Sequence, residues 1–507
     1  MRRRGSPSSI FRSLSDPPDA AAVAVPFAAI VLAMLPAVLD QTILATALPT
    51  IAGDLGRITD LSWVVTAYVV AAAATTPLWG KLGDRHGRKR LLQIALAMFL
   101  GASALCGLAQ DITMLIVSRT VQGVAAGGLM SLAMAAVGDL VSPRERGRYQ
   151  GYIAATFAIA TVVGPLAGGV LVQHASWRWV FYVNLPLGLL ALAGLSLRLP
   201  APAAQRPATR LDAAGAALLA GATSAFMLAC IWGGDRYAWD SPPIVALLGA
   251  TAAFAAGLVV RERRAADPIV PFDLLRIPAV AIASVALFLV TASLFAITLF
   301  VPLFLQTTTG ASPTQAGLLL VPMMLGVTLS TNLAGRSIAR TGRYKLFPVA
   351  GLALMTAALA ALAVLAGDPS RTTTGVGLAV FGLGFGMVGQ VLIVAVQNSV
   401  DRRRLGVAMA TTSFFRALGG AAGAAVLGAV FAARTGAHAS ATAAVSRADV
   451  IDAVQTVFTV AAPIAAIALL VVLALKEVPL QGAAAPAPAR ESGAPQQQQQ
   501  PATAATR

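Results

Sequence analysis

Residues 80–90 read GKLGDRHGRKR, and residues 335–345 read GRSIARTGRYK. At an offset of 255, Gly80, Arg85, Gly87 and Arg88 recur as Gly335, Arg340, Gly342 and Arg343. Lys81 and Arg90 are matched by the like-charged Arg336 and Lys345. At the same offset Gly164 and Gly168 fall on Gly419 and Gly423. Two separate motifs that keep one spacing point to a duplicated unit rather than to chance in a Gly/Arg-rich chain.

The segments around these motifs are apolar. Of 507 residues, 57% are hydrophobic and 11% charged, against about 25% charged in an ordinary soluble domain. That balance excludes a soluble globular protein and a disordered one. Apolar runs of membrane-spanning length repeat along the chain. They lack the period-two alternation of a β-barrel. Fourteen candidate spans lie near 24–46, 62–82, 90–109, 112–139, 147–172, 179–198, 212–232, 242–260, 279–305, 314–338, 346–366, 373–397, 405–432 and 454–475. The expected fold is all-α integral membrane. Spans 1–6 and 9–14 form two six-helix bundles, and spans 7 and 8 are an inserted pair.

Basic residues test that count. Of the 37 Lys and Arg, 29 fall on the segments that share the side of the N-terminus, and 6 on the opposite loops. Arg119 and Arg416 lie within spans. This asymmetry is the positive-inside pattern. The net charge of +16 therefore reports topology and calls for no nucleic-acid partner. Both termini are expected to be cytoplasmic, in the plasma (inner) membrane. The organisation read from composition is a disordered cytoplasmic tail 1–20, bundles 21–200 and 275–476 about a linker pair 205–265, and a disordered tail 477–507. The last is Ala/Pro/Gln-rich and includes Gln496–Gln500; its apolar content is too low to fold.

The chain offers little to an enzyme. Two cysteines, Cys106 and Cys230, cannot build a disulfide framework. Three scattered histidines make no zinc site. No G-x-x-x-x-G-K-[ST] loop is present for ATP. No catalytic residue, metal or cofactor is expected, and no direct ATP drive.

These motifs resemble the major facilitator superfamily, specifically its fourteen-span drug:proton antiporter branch, over roughly residues 24–475. The 80–90 stretch is similar to the family's G-x-x-x-D-R-x-G-R-[RK] loop. Leu39-Asp40-Gln41-Thr42 through Ala47-Leu48-Pro49 is similar to L-D-x-T…A-L-P, with Ala45 where Asn is usual. Arg119-Thr120-Val121-Gln122-Gly123 is similar to R-x-x-Q-G. Gly164-Pro165-Leu166-Ala167-Gly168-Gly169 is similar to the antiporter motif G-P-x-x-G-G, with Ala160 where a further Gly is expected. Trp177–Phe181, Asn184–Pro186, Gln397-Asn398, and Ser413–Arg416 with Gly419-Gly420 also fit. The resemblance implies an exporter of amphipathic drugs or toxic small molecules, coupled to protons by alternating access and functional as a monomer. A dedicated exporter of one metabolite, antibiotic or lipid fits the same scaffold. A non-transporting membrane sensor or structural protein is the alternative of another class.

Charges at membrane depth are costly and mark function. Asp40 lies about 9 Å from the outer end of span 1 and Arg119 about 10 Å into span 4, by the helical rise, so the two share a depth. One reading makes them a proton-coupling pair. The other makes them a fixed ion pair joining the two spans, or leaves Asp40 reaching interfacial water. Arg416 falls near the midplane, where it would meet carbonyls, an anion, cavity water or a neighbouring helix. The absence of deep acids in spans 9–14 argues against a highly charged cationic substrate. The 80–90 loop reads as a gate, for which the resemblance implies a network of Asp84, Arg88 and Asp139 with Gly80, Arg85 and Gly87. Its basic residues serve topology under either reading. The repeat has Ala339 in place of Asp84. Gly164, Gly168 and Gly169 would leave a bare stripe beside Pro165 for close helix packing. Cavity candidates are Gln122, Phe157, Phe304, Gln306, Gln397 and Arg416, with Trp63, Tyr68 and Phe295 also at membrane depth. The lipid bilayer is the surrounding partner.

Overall fold

The computed structural model describes residues 20–55, 61–142, 145–199, 212–234, 236–265, 268–269, 272–309, 318, 320–367, 370–435 and 447–478. The two tails fall almost wholly outside these ranges. The elements are α1 (Ala20–Leu55), α2 (Leu61–His86), α3 (Arg88–Gly107), α4 (Ile112–Leu140), α5 (Arg146–His174), α6 (Trp179–Tyr182), α7 (Asn184–Arg198), α8 (Ala213–Trp232) and α9 (Pro242–Arg264). They continue with α10 (Phe272–Leu275), α11 (Pro278–Thr309), α12 (Val321–Thr341), α13 (Leu346–Leu365), α14 (Arg371–Ser399), α15 (Leu405–Thr435) and α16 (Arg447–Leu473).

Helices are what these sequences must form in lipid, because each satisfies its backbone hydrogen bonds within itself. Local signals set the ends. Asp111 accepts from Met114 N at 2.8 Å at the start of α4, and Asp212 accepts from Gly215 N at 3.0 Å at the start of α8. Gly87 (φ 91°) separates α2 from α3, and Gly342 (φ 71°) ends α12. Both are repeat positions, and both conformations favour glycine.

Thirteen helical stretches among the described residues are long and apolar enough to cross a membrane. The protein is a multi-pass membrane protein. The expected tenth span, 314–338, is occupied by α12 from Val321 onward. It stands outside the thirteen because Ser330, Thr331, Asn332, Arg336 and Arg340 dilute its apolar content. Span 1 also differs: α1 runs past 46 to Leu55, so Asp40 is further from its helix end than apolarity alone suggests.

Packing repeats with the sequence. A side chain on Gly164 or Gly168 of α5 would strike Thr42, Ile43 or Thr46 of α1. Their counterparts Gly419 and Gly423 of α15 lie as close to Phe288 and Ala292 of α11. Gly127 of α4 abuts Ala72 of α2, and 255 residues on, Gly382 of α14 abuts Met323 of α12. The inserted α8 and α9 pack on each other, and α8 also rests on α2 and α15. Trp63 meets Trp232 edge-on there, centroids 5.2 Å apart. The insert thus sits along the seam between the two bundles. Outward-facing Ile159, Leu190, Leu325 and Leu470 are exposed, as lipid-facing side chains must be.

Candidate functional site

Two polar constructions stand out, one inside the first bundle and one where the bundles meet.

The first is built on α1 and α4. Asp40 is 0% and Arg119 1% exposed, and Arg119 Nη1 is ion-paired with Asp40 Oδ2. Gln122, one turn along α4, donates Nε2 to Asp40 Oδ1 at 3.0 Å and accepts from Arg119 Nη1 at 2.6 Å. Asn184, the first residue of α7, donates to the same Oδ1 at 3.2 Å. Ser103 of α3 accepts from both amides, at 2.7 and 3.3 Å. Arg119 Nε reaches Val64 O at 3.2 Å, and its guanidinium lies 4.3 Å from the Tyr68 ring centroid. Two buried charges are tolerated only with such saturation of their hydrogen bonds. Within this network only Asn184 Oδ1 is buried without a partner. Gly164 and Gly168 bring α5 against α1 one to two turns beyond Asp40. Gly169 has nothing near its Cβ direction, so the close-packed stripe holds two glycines, not three.

The second lies at the end that carries the 80–90 and 335–345 loops, here the basic end. Arg88 bridges Asp84, at 2.7 Å, and Asp139. Asp84, its side chain 5% exposed, also accepts from Gly406 N at 2.8 Å and Val407 N at 2.9 Å. Those are first-turn amides of α15, otherwise without helical partners and lying at the positive end of the helix dipole. Further hydrogen bonds across the seam run from Arg88 to Arg402 O (2.7 Å), Arg146 to Gln397 O (2.9 Å) and Gln397 Nε2 to Met134 O (3.1 Å). Gly80 fits against Gly406 and Ala410, and Gly335 against Gly147. The bundles are therefore closed on each other at the basic end. Arg85 Nε has no partner.

The cavity candidates divide. Gln122 (0% exposed) belongs to the Asp40 network, and Gln397 (2%) to the seam. Phe304 (2%) is packed in the core. None of these three is exposed here: Gln122 has partners at both amide atoms, Gln397 donates to Met134 O while its buried Oε1 has no partner, and the Phe304 ring has apolar neighbours. Phe157 is half-buried against the core, and Gln306 donates to Pro302 O of its own helix at 3.1 Å. Arg416 is half-buried. Sequence reading missed Ser103, whose hydroxyl carries no distinguishing pattern. It also missed Arg146 and the amides of Gly406 and Val407. Asn184 stood in a quoted motif, but its contact with Asp40 spans 144 residues of chain. Among the described residues no cluster of metal-ligating side chains occurs.

A duplicated set of membrane helices, with buried charge in one bundle and a charged closure between bundles, is the architecture of secondary transporters. Residues 30–424 match the profile of the Major Facilitator Superfamily. The chain belongs to that superfamily of transporters and is not an enzyme. It is similar to an uncharacterised MFS-type transporter of Mycobacterium tuberculosis strain H37Rv, with 40% identity over 405 residues. That match takes in 80% of this chain but 59% of the relative, so the chain spans less than two thirds of the relative's length. It is also similar to the multidrug transporter protein MdtP of Bacillus subtilis strain 168, with 34% identity over 80% of this chain and 75% of that one. Among solved structures, the human organic anion transporter MFSD10 superposes with TM-score 0.65 at 18% identity, over 90% of this chain and all of that one. The proton:xylose symporter XylE gives TM-score 0.60 at 15% identity, over 88% and 95%. At such identities these two speak for the fold.

Proposed function

We propose that the chain exports amphipathic small molecules in exchange for protons, by alternating access between bundles 21–200 and 275–476 about the inserted pair 205–265. The observation that carries this reading is the sealed Asp40–Arg119 pair. Asp40 is the carboxylate farthest from helix ends among the described helices, and all its partners are donors. A proton on Asp40 removes the charge that holds Arg119, Gln122 and Asn184 together. With that tie loosened, α1 slides on the close-packed Gly164 and Gly168 face of α5. Release of the basic-end closure then lets the bundles rock. One proton crossing 100 mV supplies about 2.3 kcal/mol, enough for a concentration ratio of about 50. The similarity to MdtP and the G-P-x-x-G-G stretch favour export. The basic end and both termini face the cytoplasm of a plasma membrane, in keeping with the Lys/Arg asymmetry. The chain works as a monomer with its substrate and protons, and needs no cofactor. A dedicated exporter of one metabolite, antibiotic or lipid is the second reading on the same scaffold.

The test uses inside-out vesicles, a pH-sensitive dye and an imposed proton gradient. Adding a substrate should release protons with the native chain and not with Asp40→Asn. Release retained in Asp40→Asn would keep antiport and remove Asp40 as the carrier. No release with any compound of a broad panel would sink proton-coupled export of such molecules.

A further inference from the structure

Among the described residues, three charged side chains lie well inside the membrane-spanning helices: Asp40, Arg119 and Arg416. The first two cancel, and their pair is sealed from solvent. Arg416 is left over. It stands about 16 Å from the start of α15, by the helical rise, near the middle of a hydrocarbon core. Among the described residues it forms no ion pair and no hydrogen bond. Its place on α15 is protein-facing on both sides. Seven residues earlier, Met409 is buried and receives Gln397 Nε2 at 3.7 Å, at the seam with α4. Four residues later, Gly420 stands against Phe295 and Thr291 of α11. Arg416 therefore stands on α15 between the closed seam and, one turn further on, the half-buried ring of Phe295.

An unpaired guanidinium at this depth is costly. It is retained most simply where an anion pairs with it during the working cycle. A cation has no comparable partner, because both oxygens of Asp40 are filled by Arg119, Gln122 and Asn184. We infer that the substrate is an organic anion, an amphipathic carboxylate, and that Arg416 receives its charge while its apolar body lies toward Phe295 of α11. This deepens the transport reading and rests on it for the substrate's fate, though not for its binding. The guanidinium presents a planar fork suited to two carboxylate oxygens.

The experiment compares naphthylacetate with its uncharged amide, naphthylacetamide, and with naphthylethylamine as the cation. Equilibrium binding to the purified full chain in detergent is measured alongside uptake into proteoliposomes. The carboxylate should bind more tightly than amide or amine. Arg416→Gln should weaken it by about tenfold or more, the worth of a charged hydrogen bond, and leave the amide unchanged. Arg416→Lys, which keeps the charge but loses the fork, should recover part of the affinity and shows that the site is folded. Binding of the amine as tight as that of the carboxylate overturns the assignment, as does carboxylate binding indifferent to Arg416→Gln. Displacement by inorganic phosphate as effective as by naphthylacetate overturns the organic part of it. Binding as expected with no uptake by any probe supports the site and counts against the transport reading alone.

Discussion

The basic end holds two crossings between bundles that are built alike and charged differently. In one, Gly80 at the end of α2 lies on Gly406 at the start of α15. In the other, Gly335 at the end of α12 lies on Gly147 at the start of α5. Gly80 and Gly335 are repeat partners, and each lets a helix end approach the backbone of the facing helix. One turn beyond Gly80, Asp84 clamps two amides of α15 and the Arg88 guanidinium. One turn beyond Gly335 the chain has Ala339. Duplication thus supplied the shape of both contacts, and the electrostatic latch exists in one. In the proposed transport cycle, such an asymmetric latch would let one crossing hold the closed state while the other serves as a hinge surface.

Breaking the shared part should have the largest effect and act on both crossings. A side chain at Gly80 or Gly335 meets carbonyl backbone of the facing helix, which cannot move aside as a flexible side chain can. Gly80→Val and Gly335→Val should each lower transport, by up to about a hundredfold for severe overpacking. A cysteine at Ala410 should become reactive to membrane-impermeant thiol reagents from the basic end. Full activity in either variant would mean that the close approach is not part of the cycle.

Breaking the unshared part comes next. Asp84→Asn removes the charge facing Arg88 and turns one amide donor toward the helix amides that now donate to Asp84. Transport should fall by about tenfold, the worth of one or two charge-assisted hydrogen bonds. Asn332 offers the internal control on the other crossing. It donates to Thr328 O of its own helix at 2.8 Å and has no charge to lose, so Asn332→Ala should change the rate far less. An equal loss in the two variants would erase the distinction between latch and hinge.

Sharpening the comparison runs the other way. Ala339→Asp sets a carboxylate opposite the first turn of α5, where a negative charge is worth about 0.3–1 kcal/mol. The basic end should stay shut longer, turnover should slow by about twofold to fivefold, and thiol labelling at position 410 should decline.

How far sequence reached follows the same line between shape and polarity. The duplicated fold was legible because lipid forces long apolar helices, and because Gly80, Gly164 and Gly168 recur at one offset. The Asp40–Arg119 pair was legible because charges in apolar runs are rare and the helical rise places both at one depth. The partners of Gln122 and Gln397 were illegible because an amide has no direction in a sequence. Folding turned the first onto Asp40 and the second onto Met134 O. The partners of Asp84 across the seam were illegible for another reason. They are backbone amides of Gly406 and Val407, and every residue but proline has one.

The smallest effect lies at the rim of the latched crossing. Arg404, just before α15, pairs with Asp273 of α10, and both are about half exposed, at 46% and 52%. The hydrogen bond from Arg404 holds the Asp273 carboxyl below its ordinary range, with burial opposing and the Arg404 charge helping. A carboxylate lowered in this way stabilises the folded chain above its unfolded pKa. That contribution disappears as pH falls through the still lower folded value. The pair should therefore be intact at neutral pH and lost only in acid below about 4, the usual carboxylate value. Exposed pairs contribute about 1 kcal/mol at most and less in salt. Asp273→Asn should lower Tm by no more than about a degree or two at neutral pH, vanishing in acid and in high salt. It should leave transport within about twofold, since water can replace what Arg404 loses at the rim. A tenfold loss would show that the rim, and not the buried Asp84, sets how firmly this crossing is held.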